Sequence, residues 1–148
     1  MTYTPHNPDF VQTIRRRLRG QHFMHLVGFD LSTIEAGRTA GELPLSEQHR
    51  QQFGYVHGGV IATLCDVVAG FAAYSLVPPG RGVVTAELKV SYFRPGRGER
   101  LRAVGWVVKP GRQVHFCEAE VWALDGEQEV LIAKATTTMA VVVRPADG

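Results

Sequence analysis

A histidine and two glycines, His57-Gly58-Gly59, open a long apolar run, and eight residues beyond Gly58 a lone carboxylate, Asp66, interrupts it. If the run is a helix, the glycines stand at its N-terminus, where backbone N–H groups lack acceptors and the positive end of the dipole points outward. Missing side chains let a carbonyl approach those N–H groups closely, as an oxyanion hole requires. The same triplet also serves as a plain tight turn before a helix. A carboxylate within an apolar helix loses hydration, so Asp66 needs either partners or a cleft in which it acts as base or nucleophile. The structural alternative is an ion pair with an Arg or Lys from a strand. At about 1.5 Å per residue, Gly58 and Asp66 lie roughly 12 Å apart along the helix, too far for one chain to bring its own aspartate to its own glycine N–H. If both serve one substrate, the carboxylate comes from a second subunit whose helix runs alongside in the opposite sense. That arrangement is a symmetric dimer with sites at its interface.

The run must first be assigned. Residues 59–77 form a stretch of about 19 residues whose only charge is Asp66, long enough to span a bilayer. A mid-membrane aspartate costs roughly 2.5–3.5 kcal/mol, and the sequence has no second apolar segment to pair with it. The run therefore reads as the buried core helix of a globular domain, stopped by Pro78, Pro79 and Gly80. Upstream, Asn7 and Pro8 predict an N-cap and first helical residue of a short helix over about 8–19. Its face carries Phe10, Ile14 and Leu18, and Arg15, Arg16, Arg17 and Arg19 crowd its C-terminal end as a solvated face. From His25, the segment HLVGFDLSTIEAGRTAGELPLS predicts two extended runs paired as a hairpin about Gly37. Downstream, Val84, Ala86, Leu88, Val90 and Tyr92 alternate with Thr85, Glu87, Lys89, Ser91 and Phe93, which predicts a strand with one apolar and one polar face. Three further β-rich runs follow, separated by PGR and LDGEQ turns. Helix, two strands, long helix and four strands make an α+β domain over 1–148, with an antiparallel sheet of about six strands curled around the long helix.

Composition narrows the function. The chain has 148 residues, 45% hydrophobic, enough for an ordinary core. A formal net charge of +2 with 20% charged residues gives no large single-sign field, so the totals do not suggest nucleic-acid binding, any basic patch having to be local, and no nucleic-acid partner is expected. Cys65 and Cys117 lie in apolar stretches without ligand spacing, indicating neither a disulfide framework nor a zinc site. Cys65 neighbours Asp66, but adjacent helical residues point about 100° apart, so it reads as packing rather than as a nucleophile. The N-terminus, MTYTPHNPDFVQTIRRRLRG, lacks the order of a secretory signal, and a cytoplasmic location is expected. Arg94, Arg97, Lys109 and Arg112 sit at turns where strands end and are candidates to meet phosphates.

The segment GYVHGGVIATLCD, followed after a Pro/Gly turn by VVTAELKVSYFRPG, resembles the PaaI-like, phenylacetate-pathway branch of the hotdog-fold thioesterases, over Leu26 to Val143. The resemblance implies a hotdog fold and a homodimer or homotetramer that hydrolyses an acyl-coenzyme A thioester, its acyl group aromatic or medium-chain. It implies that Gly58 donates its N–H to the thioester carbonyl, with Gly59 beside it at the substrate. Asp66 matches the catalytic acid, as general base or nucleophile. His57 positions the loop or the thioester. Gln51 stands where the family often has asparagine, and Thr85 where some members have a hydroxyl that bonds the attacking water. No metal or redox cofactor is expected, coenzyme A entering as part of the substrate. Two alternatives remain: a hydratase or dehydratase, which needs a histidine facing the acid, and a non-catalytic acyl-CoA sensor, whose usual DNA-binding segment this chain is expected to lack.

Overall fold

The apolar run folds as α3 (Gly58–Tyr74), a 17-residue helix that buries Ile61, Leu64, Cys65, Val68, Ala69, Phe71, Ala72 and Ala73. It ends before the prolines because Ser75 caps it: the Ser75 hydroxyl donates to the Ala72 carbonyl at 2.6 Å and accepts the Gly37 N–H at 2.7 Å. Among the residues that the computed structural model describes, 2–144, no helix is long and apolar enough to cross a membrane.

Around α3 wraps one antiparallel sheet of β1 (Asp30–Glu35), β2 (Arg38–Pro44), β3 (Arg81–Tyr92), β4 (Arg100–Lys109), β5 (Val114–Asp125) and β6 (Gln128–Val143), in the order β1-β2-β4-β5-β6-β3. This is the hotdog arrangement expected from the sequence. Alternation in the central strands sets the inner face: Leu101, Ala103, Gly105 and Val107 of β4, and His115, Cys117, Ala119 and Val121 of β5, are all buried. Small residues let the sheet close tightly on the helix. At Gly105 the contact is backbone to backbone, since a Cβ there would collide with the Val68 carbonyl carbon and the Ala69 nitrogen. Beside it, the buried Thr39 hydroxyl donates to the Val68 carbonyl at 2.7 Å.

Three local expectations are corrected. Helix α1 spans Phe10–Arg19, two residues later than its expected start, with Asp9 at the N-cap position. Asn7 forms the preceding turn instead, its side-chain oxygen accepting the Asp9 N–H at 3.0 Å and its carbonyl the Phe10 N–H at 3.2 Å. The start of the first expected extended run lies in a second short helix, α2 (His22–Val27), because Met24 and Val27 bury one helical face and Gly28, at φ 85°, closes it left-handed with its N–H on the Met24 carbonyl at 2.7 Å. The third concerns β3. Its register slips between Thr85 and Glu87: Thr85 lies opposite the buried Met139, while Leu88 lies opposite the buried Thr137. One extra residue reverses the phase of the strand. Thr85, expected on the polar face, therefore shares the inner face with Leu88 and Val90, and Val84 is turned outward, 53% exposed.

Candidate active site

The turn before α3 is held from behind by a second histidine. His49 is buried, its Nδ1 accepting the Ser46 N–H at 3.0 Å and its Nε2 meeting the Val27 carbonyl of α2 at 2.6 Å. Its carbonyl then accepts the His57 N–H at 2.8 Å. His57 is the N-cap of α3 in extended conformation, and its Nδ1 accepts the Gly59 N–H at 2.8 Å. An accepting Nδ1 carries no proton, so this contact selects the tautomer with its proton on Nε2. This cap engages Gly59, whose N–H is no longer offered to a ligand. A Cβ on Gly59 would press on the imidazole at 3.0 Å, so glycine there makes room for the capping ring. Among the described residues the Gly58 N–H is left without an acceptor.

Gly58 opens into a cleft of about 370 Å³ shared with Gln51, Tyr55, Tyr92 and Arg94. Gln51 is turned back on its own loop, its Oε1 accepting the Phe53 N–H, which leaves the amide NH2 as its remaining polar end. Tyr92 gave no signal in the sequence beyond its place in a strand. Its hydroxyl donates to the Gly58 carbonyl at 2.7 Å, and burial pushes the phenol above its ordinary value, so it stays a donor at neutral pH. The peptide unit that Tyr92 grips is the one whose N–H donates to the capping His57. Tyr92→Phe is expected to lower kcat about 2- to 10-fold, the worth of one hydrogen bond, with KM little changed. An equal rise in KM instead would assign Tyr92 to substrate binding.

Asp66 lies in a different cleft of about 350 Å³, walled by Val67, Gly70, Phe71, Tyr74, Val83 and Met139 together with Arg17, Gln21 and Arg144. The Thr85 hydroxyl donates to Asp66 Oδ1 at 2.6 Å, a contact created by the bulge in β3. Oδ2 has no partner among the described residues. The ion pairs among those residues join Arg100 to Glu42, Arg102 to Glu129, and Lys134 to Glu118 and Glu120; none involves Asp66, although Arg17 and Arg144 line the same cleft. The Asp66 and Gly58 clefts share no wall residue. Both flank β3, which is an edge strand with a free ladder.

The four turn cations do not form one group. Arg94 and Arg97 lie on the β3–β4 connection near Gly58, with Arg97 stacked 4.6 Å over the Tyr55 ring and donating to its hydroxyl at 2.7 Å. Lys109 ends β4 and Arg112 lies in the β4–β5 turn, toward the C-terminal end of α3. Burial pushes the Cys65 thiol up to about 12, so it stays protonated, and both cysteines are free and buried.

The thioesterase superfamily model matches residues 53–130, which include His57, Gly58, Asp66 and Thr85. The medium/long-chain acyl-CoA thioesterase YigI of Escherichia coli is 33% identical over 99 residues, 58% of this chain and 62% of that protein. The crystal structure of a thioesterase family protein from Silicibacter pomeroyi superposes with a TM-score of 0.89 at 32% identity, covering 91% of this chain and 99% of that one. The PaaI protein of Escherichia coli shares the fold, with a TM-score of 0.81 at 18% identity over 90% of this chain and 94% of its own. With more than half its length matched by the family model, the chain belongs to the thioesterase superfamily, and its reaction class is thioester hydrolysis.

Proposed function

We propose that the protein hydrolyses an acyl-coenzyme A thioester with an aromatic or medium-chain acyl group, as a homodimer in which Asp66 of one copy serves the Gly58 turn of the other. The observation that carries this reading is the split site: an unpaired N–H in one cleft and an oriented carboxylate in another, both beside an open strand edge. Antiparallel pairing of two β3 edges about a two-fold axis near Leu88 and Lys89 sets Thr85 against the second copy's Tyr92. That pairing brings Asp66 to the second copy's Gly58. It also covers an open 12-residue ladder and the half-exposed Val84, Tyr92 and Phe93, which an edge strand otherwise leaves to chance partners.

In the assembled site the thioester carbonyl accepts from the Gly58 N–H, and the acyl group enters the cleft beside Asp66, against Val67, Phe71, Val83 and Met139. Asp66, steadied through Oδ1 by Thr85, takes a proton from water through Oδ2 as the water oxygen attacks the carbonyl carbon. The oxyanion is held at the positive end of α3. Its collapse breaks the C–S bond, and the departing thiolate recovers the proton from Asp66. The products are a free acid and coenzyme A, with no metal or redox group required. The free NH2 of Gln51 is in place to hold substrate or water. The dehydratase alternative finds less support, because His57 Nδ1 accepts the Gly59 N–H and is held by the cap rather than turned to a carboxylate. An acyl-CoA substrate points to the cytoplasm as the compartment.

Thiol release from a panel of acyl-CoA esters tests the proposal, and a folded protein that binds the esters without turnover would make it a sensor. In the same assay Arg94→Ala and Arg97→Ala are expected to raise KM about 2- to 5-fold with kcat nearly unchanged, and added salt should reproduce the effect, as for exposed ion pairs. Unchanged KM in both variants would remove this loop from nucleotide binding.

A further inference from the structure

The cleft of about 910 Å³ at the C-terminal end of α3 has no part in the reaction above, and its walls carry charge of one sign. Arg81, Arg112, His6 and His115 line it, and no carboxylate does among the described residues. Neither Arg81 nor Arg112 has an ion-pair partner there. The N-terminal segment forms one wall, pinned by the Tyr3 hydroxyl on the carbonyls of Val107 and Val108 at 3.1 and 3.2 Å. His115 is only 3% exposed, and its Nδ1 makes no hydrogen bond of good geometry, the Gly111 backbone being the one partner that acts on the ring. A buried ring nitrogen without a well-formed hydrogen bond is costly and calls for a partner.

We propose that this cleft binds a phosphate monoester, clasped by Arg81 and Arg112, with the phosphate's acid proton shared with the imidazole of His115. The two guanidinium groups hold a multidentate oxyanion. The imidazole adds a requirement that a bare anion does not meet. Burial holds His115 below its ordinary value, against the Gly111 backbone hydrogen bond that raises it, which favours the neutral ring, and a neutral imidazole has one nitrogen that accepts. Carboxylates and sulfate have no proton to give at neutral pH. A phosphate monoester, with a second pKa of about 6, keeps one within reach, and the proton is shared in the complex whichever atom carries it. The remaining cleft volume admits an organic group attached to the phosphate. The site lies about 24 Å along α3 from Gly58, and it stands whether or not the thioesterase reading of Asp66 does.

Two sources share this chemistry, the nucleotide of the acyl-CoA substrate and a separate phosphorylated metabolite. Histidine-labelled protein titrated with inorganic phosphate is expected to show saturable shifts of the His115 ring signals, with sulfate at least about tenfold weaker. The double variant Arg81→Ala/Arg112→Ala, altered only at exposed side chains, should lose the phosphate response while its other signals are retained. KM of that variant then separates the sources. A rise for acyl-CoA but not for the matching acyl-pantetheine identifies the substrate's own nucleotide, and no change for either identifies a separate ligand. Sulfate binding as tightly as phosphate, no response to phosphate, or a response that survives the double substitution would each overturn the proposal.

Discussion

Asp66→Asn is expected to reduce turnover about 100- to 10,000-fold, the range that a positioned general base supplies. Asparagine keeps the shape of the side chain and can still meet the Thr85 hydroxyl, so the melting temperature and the oligomeric state should stay near those of the parent. What the amide cannot do is take the proton of water through the atom that is now Oδ2. Turnover within about threefold of the parent in a folded variant would dismiss Asp66 as base and as nucleophile alike. The two roles separate in a single turnover in 18O-labelled water. Label enters the Asp66 carboxylate only if Asp66 attacks the thioester and water then cleaves the resulting anhydride.

The second large effect is a recovery. Asp66→Ala and Gly58→Val should each be inactive alone, and co-refolding the two should restore roughly a quarter of parental activity. In a dimer with two-fold related sites, a mixed pair collects both defects in one site and neither in the other, and random pairing makes about half the dimers mixed. Gly58→Val is suited to the experiment. A Cβ there meets the Tyr92 ring at an ordinary 3.5 Å, so the fold accommodates the residue while its branches block approach to the N–H. Each variant refolded alone must stay inactive. A preparation proven mixed by mass that stays inactive would place the whole site within one chain.

Both predictions rest on features that differ in how far the sequence discloses them. The α3 helix, the hairpin about Gly37 and the turns at Pro110 and Gly126 are written in periodicity and in Gly and Pro, and the structure has them there. The 12 Å separation of Gly58 and Asp66 follows from helical rise alone. The Thr85–Asp66 contact does not follow from pattern, because a period of two assigns Thr85 to the solvent face and only the bulge at Ala86 returns it. No residue type at 85–87 announces that bulge. Tyr92 is hidden for a related reason: alternation places it on a face but cannot say that the face ends on the Gly58 carbonyl. The four turn cations show the limit of grouping by position in sequence, since successive hairpin turns fall at opposite ends of an antiparallel sheet. Helix α2 was obscured because six residues are too few for helical periodicity to outweigh a β-rich reading.

Gly105 touches neither cleft, yet it fixes how precisely the reaction can be aimed. Backbone meets backbone there, with the Val68 carbonyl also pinned by Thr39, so the helix is indexed to the sheet two residues beyond Asp66. Any side chain at position 105 lifts that stretch of α3 away from β4, and the carboxylate travels with it. Misplacing a catalytic group by about 1 Å can cost about 100-fold in rate. The back of the sheet is thus a lever on the chemistry at the front, and a single methyl group on the far side of the helix acts as a change of aim rather than a change of reagent.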